Sequence, residues 1–228
     1  MSDYLNVTYS DERAPKGGYP LQLATHLKDQ VFHPPGKLLD VGSGRGDFLE
    51  SFEKLGFDVT GVDQFTLGNE KVQKVNLEDG TFPFEDESME HVFSKSVVEH
   101  LRNPVHLLTE AFRVLEYGGK AVIMTPSWEH TYKSAFYVDH THVTPFTPLS
   151  LKGALEIAGF KEVQVNYFYQ LPFVWAHPSL SLVPRLVSFL PLPYRPNKPA
   201  LWGVSSWVNK LLRFSKEPML LATATKKL

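Results

Sequence analysis

Lys37-Leu38-Leu39-Asp40-Val41-Gly42-Ser43-Gly44-Arg45-Gly46-Asp47 is the stretch on which the fold turns. A short apolar run, Lys37 to Val41, breaks into three glycines, and Phe48, Leu49, Phe52 and Leu55 then recur at helical spacing. This predicts a buried strand, a tight loop, and a helix over 48–55 that Gly56 stops. Glycines in such a loop permit positive φ and let a ligand approach the backbone closely. A strand–helix turn without a ligand needs only one of them. A dinucleotide loop of the G-x-G-x-x-G type fits poorly, because its third glycine would fall at Asp47 and Asp40 would face a diphosphate of like charge. A ligand with a cationic end suits Asp40 better.

Outward from this loop, strands and helices alternate. Asp58 to Asp63 reads as a second strand, Lys71 to Val75 as a third, Met89 to Ser94 as a fourth and Lys120 to Thr125 as a fifth. Leu107 to Leu115 is a helix ended by Gly118-Gly119, and Leu149 to Ala158 another ended by Gly159. Val163 to Tyr169 is a further strand, and Pro218 to Thr225 an apolar run expected to pair at the sheet edge. Such alternation implies an α/β fold, doubly wound, with a mostly parallel sheet and helices on both faces. Ligands of these folds sit beyond the carboxyl ends of the strands. Asp63 ends the second strand, where an acidic side chain takes both hydroxyls of a ribose. A nucleoside joined to a positively charged tail describes S-adenosylmethionine.

Leu38 to Glu50 resembles the first motif of class I S-adenosylmethionine-dependent methyltransferases, and Asp63 their ribose-binding acid. The resemblance continues through Asn76-Leu77-Glu78-Asp79-Gly80, through Ser88 to Leu101 with its ending Val98-Glu99-His100-Leu101, and through Glu110 to Lys120. It covers about residues 37–170 and is similar to enzymes of quinone and cell-surface glycan pathways. It implies a Rossmann-like sheet, in which residues 171–216, lying between the last two strand candidates, form a helical insertion before the last strand. It also implies that Asp40, Gly42, Ser43, Gly44, Gly46, Asp63, Asn76, Leu77 and Ser94 hold S-adenosylmethionine, Asn76 standing where many relatives have Asp.

A sulfonium is already an activated methyl donor, so such an enzyme chiefly aligns an acceptor and excludes water. A hydroxyl acceptor also needs a base. His100, beyond the fourth strand, and His140 and His142, in the loop after the fifth, are the candidates, with Asp139 able to orient one of them. Each could equally be a structural residue bonded to nearby backbone. Quinone-type relatives carry Glu-x-x-Glu-His at the fourth-strand exit, a candidate metal segment. Here Ser96 takes the first position, so an oxygen ligand is lacking and no metal is assigned. The Asn/Asp-Pro-Pro-Tyr/Phe signature of base and glutamine methyltransferases is absent, Ser94-Lys95-Ser96-Val97 standing in its place. That favours oxygen on a small-molecule or lipid-linked acceptor.

Composition narrows the function further. The 228 residues carry 23 Lys plus Arg against 25 Asp plus Glu, without the basic excess of a nucleic-acid binder. The absence of cysteine excludes disulfides, thiolate metal sites and a cysteine nucleophile. No signal-peptide pattern or membrane-length apolar run is present, so a cytoplasmic domain is expected. The charge is uneven: Leu171 to Lys216 holds six basic residues and no acidic one, with seven of the 17 prolines and three of the four tryptophans. The organisation read from this is an N-terminal helical cap (1–36), a core (37–170 plus 217–228) and a basic amphipathic insertion (171–216). Two helices are expected in the insertion. One spans 179–190, with Leu182, Leu186, Phe189 and Leu190 on one side, and the other spans 203–214, with Val204, Trp207, Val208, Leu211 and Leu212 as a stripe. Packed on the body, these stripes form a lid; left outward, they suit peripheral contact with the inner membrane face. O-methylation of a lipid-linked saccharide is the first functional expectation and O-methylation of a polyprenyl quinone the second. A non-catalytic S-adenosylmethionine-binding regulator is the reading from another class.

Overall fold

The computed structural model describes residues 18–133, 135–192, 194 and 206–228. The first part of the predicted cap and residues Gly203, Val204 and Ser205 of the second insertion helix lie outside them. Strand β1 (Lys37–Val41) is followed by α2 (Asp47–Lys54), β2 (Asp58–Asp63), β3 (Val72–Lys74) and β4 (Met89–Lys95). Helix α1 (Tyr19–Gln30) precedes them; α3 (Pro104–Val114), β5 (Leu115–Pro126), α4 (Trp128–Thr131), α5 (Pro148–Ile157) and β6 (Lys161–Phe168) follow. The insertion contributes α6 (Pro172–Ala176), α7 (Leu182–Phe189) and α8 (Ser206–Lys216) before β7 (Met219–Thr225).

The seven strands form one sheet in the order β3-β2-β1-β4-β5-β7-β6, the first five parallel and β7 antiparallel to both its neighbours. Alternate side chains feed two cores, as the pleat requires. Leu38 and Phe93 pack with α1 and α2 through Leu23, Leu27, Leu49 and Phe52, while Leu39, Val41 and Val92 pack with α3 and α5 through Leu107, Leu108, Leu151 and Leu155. Helices therefore cover both faces.

Two expectations are corrected. Pro218 to Thr225 does not lie at the sheet edge: β7 sits between β5 and β6, and β6 is the edge. The reason is apolarity, since five of the seven residues of β7 are buried and most of β6 is not. Gly118-Gly119 does not stop a helix either. The helix already ends at Val114, and the glycines lie inside β5, which begins where Leu115 pairs with Met89. Gly118, at φ +88°, lets the strand bend so that its N–H reaches the Lys226 carbonyl at 2.8 Å.

The connection between β3 and β4 has no regular structure and is held from α3 chiefly by Arg113, which pairs with both Glu110 and Asp86. Arg113 donates to the Phe82 and Phe84 carbonyls at 2.9 and 2.8 Å and to Glu110, whose Oε2 accepts from the Phe82 N–H at 2.7 Å. Glu110 is held below the usual carboxylate range, first by its bond to Arg113. Replacing Arg113 by Met strands two carbonyls and a nearly buried carboxylate. It should lower unfolding free energy by about 2–3 kcal/mol, read as a drop in urea midpoint.

Candidate active site

The loop after β1 is shaped by backbone that only glycine adopts without strain. Gly42, Gly44 and Gly46 have φ of +77°, +53° and +80°. A Cβ on Gly42 would lie 2.2 Å from the Val97 side chain, whereas one on Gly44 would meet nothing within 4 Å. Gly42 thus packs the loop against the β4 exit, and Gly44 faces open space where a ligand has room.

Two carboxylates frame that space. Asp63, at the end of β2, accepts from the Gly44 N–H and the Phe65 N–H, both at 2.9 Å, and so ties the glycine loop to the next strand. Asp40 is buried and its Oδ2 has no hydrogen-bond partner. Burial, reinforced by the nearby Asp63 charge, pushes its carboxyl up to about 7. A buried acid with an orphaned oxygen beside an open glycine loop is chemically suited to a cationic ligand. Ser43 donates to the Asp40 carbonyl, and Ser94 of β4 donates to that of Val41 at 3.0 Å, so both lock the strand ends. Leu77 is buried, while Asn76 is exposed and donates to Asp79 at 2.6 Å.

The three candidate histidines separate. His100 and His142 come together with ring centroids 4.6 Å apart, whereas His140 is exposed. Desolvation drives the His100 imidazole down to about 4 and also lowers His142, so both are neutral near pH 7. Asp139 orients this group indirectly: its Oδ1 accepts from the Thr141 hydroxyl, and Thr141 in turn meets His100 Nδ1 at 2.8 Å.

Glu99 and Lys95 are the site residues that the sequence reading did not single out. Glu99 is fully buried, and burial raises its carboxyl to about 7. Lys95, half-buried beside the Tyr19 and Phe48 rings, is lowered to about 8, mainly by desolvation, and senses both Glu99 and Arg213 of α8. A charged pair within one turn of the fourth-strand exit, Lys95 and Glu99, was the available signal.

Two consequences can be measured. Asp63→Ala should weaken binding of S-adenosylmethionine by at least about tenfold in calorimetry, since it removes the ribose partner and frees the loop. Affinity unchanged in that variant would end the ribose assignment. A cationic donor favours ionised Asp40, so binding must expel a proton below pH 7. Affinity should rise with pH toward about 7 and then level off, and Asp40→Asn should flatten that profile.

A family model described as a methyltransferase domain matches residues 19–165. A Methanocaldococcus jannaschii protein of unassigned function is 30% identical over 147 residues, spanning 58% of this chain and 68% of its own. A Mycolicibacterium vanbaalenii protein named as a methyltransferase is 34% identical over 100 residues, 40% of this chain and only 39% of that one. The crystal structure of an S-adenosylmethionine-dependent methyltransferase from Archaeoglobus fulgidus superposes with a TM-score of 0.60 at 23% identity, covering 96% of this chain and 98% of the other. Haemonchus contortus phosphoethanolamine N-methyltransferase 2, in complex with S-adenosyl-L-methionine, gives 0.63 at 17% identity over 99% of this chain and 60% of its own, a likeness of fold. With the glycine loop, Asp40 and Asp63 arranged as they are, the chain belongs to the methyltransferase-domain family as a class I S-adenosylmethionine-dependent enzyme.

Proposed function

We propose that the enzyme transfers the methyl group to oxygen on a lipid-linked acceptor, a saccharide in the first instance, presented at an anionic membrane surface. The observation that carries this reading is the outward face of the insertion. Leu186 and Phe189 of α7 are 67% and 78% exposed, Trp207 of α8 is 66% exposed, and Leu182, Leu190 and Leu192 are exposed beside them. Lid packing of both stripes is not met on α7, where only Pro184 is buried. The helix leans on α8 instead, with Lys216 donating to the Leu190 carbonyl at 2.5 Å at its carboxyl end, where a cation opposes the helix dipole.

Apolar side chains flanked by Arg185 and Lys210, in a segment free of acidic residues, match the headgroup boundary of an anionic bilayer. Among the described residues no helix is long and apolar enough to cross a membrane, so this contact would be peripheral. The Arg213 charge helps to lower the Lys95 ammonium, which brings α8 near the β4 exit. Oxygen as the acceptor atom is supported by Ser94-Lys95-Ser96-Val97, which stands where amino-group methyltransferases carry Asn/Asp-Pro-Pro-Tyr/Phe.

Methyl-labelled S-adenosylmethionine incubated with the enzyme and a membrane-containing extract should deliver label to the organic phase, as a methyl ether by NMR. Label confined to the aqueous phase, or on nitrogen as in the phosphoethanolamine enzymes, would overturn the proposal. The pair Leu186→Asp and Phe189→Asp should abolish co-sedimentation with phosphatidylglycerol vesicles, by at least about tenfold in partition coefficient.

A further inference from the structure

Glu99, His100 and His142 each offer one ligand-capable atom, and the three atoms lie within 4.8 Å of one another. Residues 43 positions apart at the extremes are thereby brought to one point, and the backbone keeps them there. The Glu99 carbonyl accepts from the Val143 N–H at 2.8 Å and the Thr144 N–H at 3.0 Å, so the loop carrying His142 is stapled to the segment carrying Glu99 and His100.

The hydrogen bonds around the cluster decide which atoms face inward chemically. The Thr141 hydroxyl spends its proton on Asp139 at 2.6 Å, so toward His100 Nδ1 its oxygen can only accept. Nδ1 of His100 therefore carries the proton and Nε2 the lone pair. His142 Nδ1 lies 2.7 Å from the Phe136 carbonyl, which also only accepts, and the same tautomer follows. Metal-ligating histidines are held in this way, one ring nitrogen donating to a carbonyl or to a carboxylate relay while the other binds the cation. The third group supplies an independent sign. Glu99 is fully buried, its Oε2 accepts from the Thr125 hydroxyl at 2.9 Å, and its Oε1 has no hydrogen-bond partner. A buried carboxylate oxygen without a donor calls for a partner, and a cation at this cluster would supply one.

We propose that Glu99, His100 and His142 bind a divalent cation, with zinc the best match, at the acceptor end of the methyl-transfer site. Two imidazoles and one carboxylate form a three-ligand set that leaves a further position open, as in catalytic zinc centres. The sequence argued against a metal because Ser96 removes an oxygen ligand, but the His142 nitrogen completes the set from the loop after β5. The other charges facing the cluster are Asp139, which favours a cation, and Lys95, which opposes it. The open position suits the acceptor hydroxyl under the oxygen-acceptor reading, on which this role rests. There the O–H proton leaves to solvent, the oxygen pair forms the bond to the methyl carbon, and the S–CH3 pair returns to sulfur as the thioether.

The test needs no acceptor, so it stands or falls apart from the acceptor assignment. The untagged full-length chain, stripped with chelator, is titrated with zinc by calorimetry and with cobalt by visible absorption. One equivalent should bind and cobalt should give the d–d bands of a low-coordinate site. His142→Ala and Glu99→Gln should each weaken binding by at least about tenfold, and Thr141→Val by less, through loss of the hydroxyl that holds His100. S-adenosylhomocysteine binding retained in each variant certifies the fold, and His142→Ala carries the test if Glu99→Gln fails to fold. No stoichiometric binding by the unaltered chain, or binding undiminished in His142→Ala, overturns the proposal.

Discussion

Strand β1 is paired in parallel with β2 on one side and β4 on the other, so that Val41, Val62 and Ser94 stand at one level across the sheet. The rest of the site depends on that register. Because three strands end together, the glycine loop after β1, Asp63 after β2 and the Lys95–Glu99 segment after β4 open onto the same edge. The Asp63 bond to Gly44 then closes the loop, and Gly42 lies so near Val97 that no side chain would fit between them. A one-residue slip would turn Asp40 away from this edge and place an apolar neighbour there.

Beyond β4 the organising residue is Glu99. Its main-chain carbonyl fastens the loop after β5, and its side chain reaches Thr125 within β5. One buried acid thus joins β4, β5 and the histidine-bearing loop. Burying a carboxylate costs stability unless it is compensated. Asp40 on the donor side has the same character: buried, with an orphaned oxygen and raised toward neutrality. Both groups are thus acids poised near neutrality, in a protein whose body outside the insertion carries 17 basic and 25 acidic groups. A positively charged methyl donor is drawn into such a field.

The insertion follows a different principle. It is tethered by a few specific contacts: Trp175 donates to the Tyr169 carbonyl at 2.8 Å and stacks on Phe168, Val174 is buried, and Lys216 holds the end of α7. The apolar surface of α7 contributes little to the core and remains turned outward. An apolar face of this kind, bordered by cations, is a feature of recognition more than of folding.

Much of this was legible in one dimension. The break from Leu38-Leu39-Asp40-Val41 into glycines determined the strand, the loop and the following helix, because local backbone freedom and 3.6-residue periodicity are properties of neighbours in sequence. Asp63 was equally readable from its spacing, since a strand–helix–strand unit has a nearly constant length. What the sequence left open were the contacts between distant segments. Pro218 to Thr225 gave every sign of a strand, but the edge position expected for it was overturned, because β7 pairs with β5 on one side and β6 on the other. His140 and His142 look alike in sequence, and only the staple from Glu99 to Val143 and Thr144 turned one toward His100 and left the other exposed. Periodicity determines an element; the partner that buries it, or that completes a cluster of ligands, exists only after the chain has closed on itself.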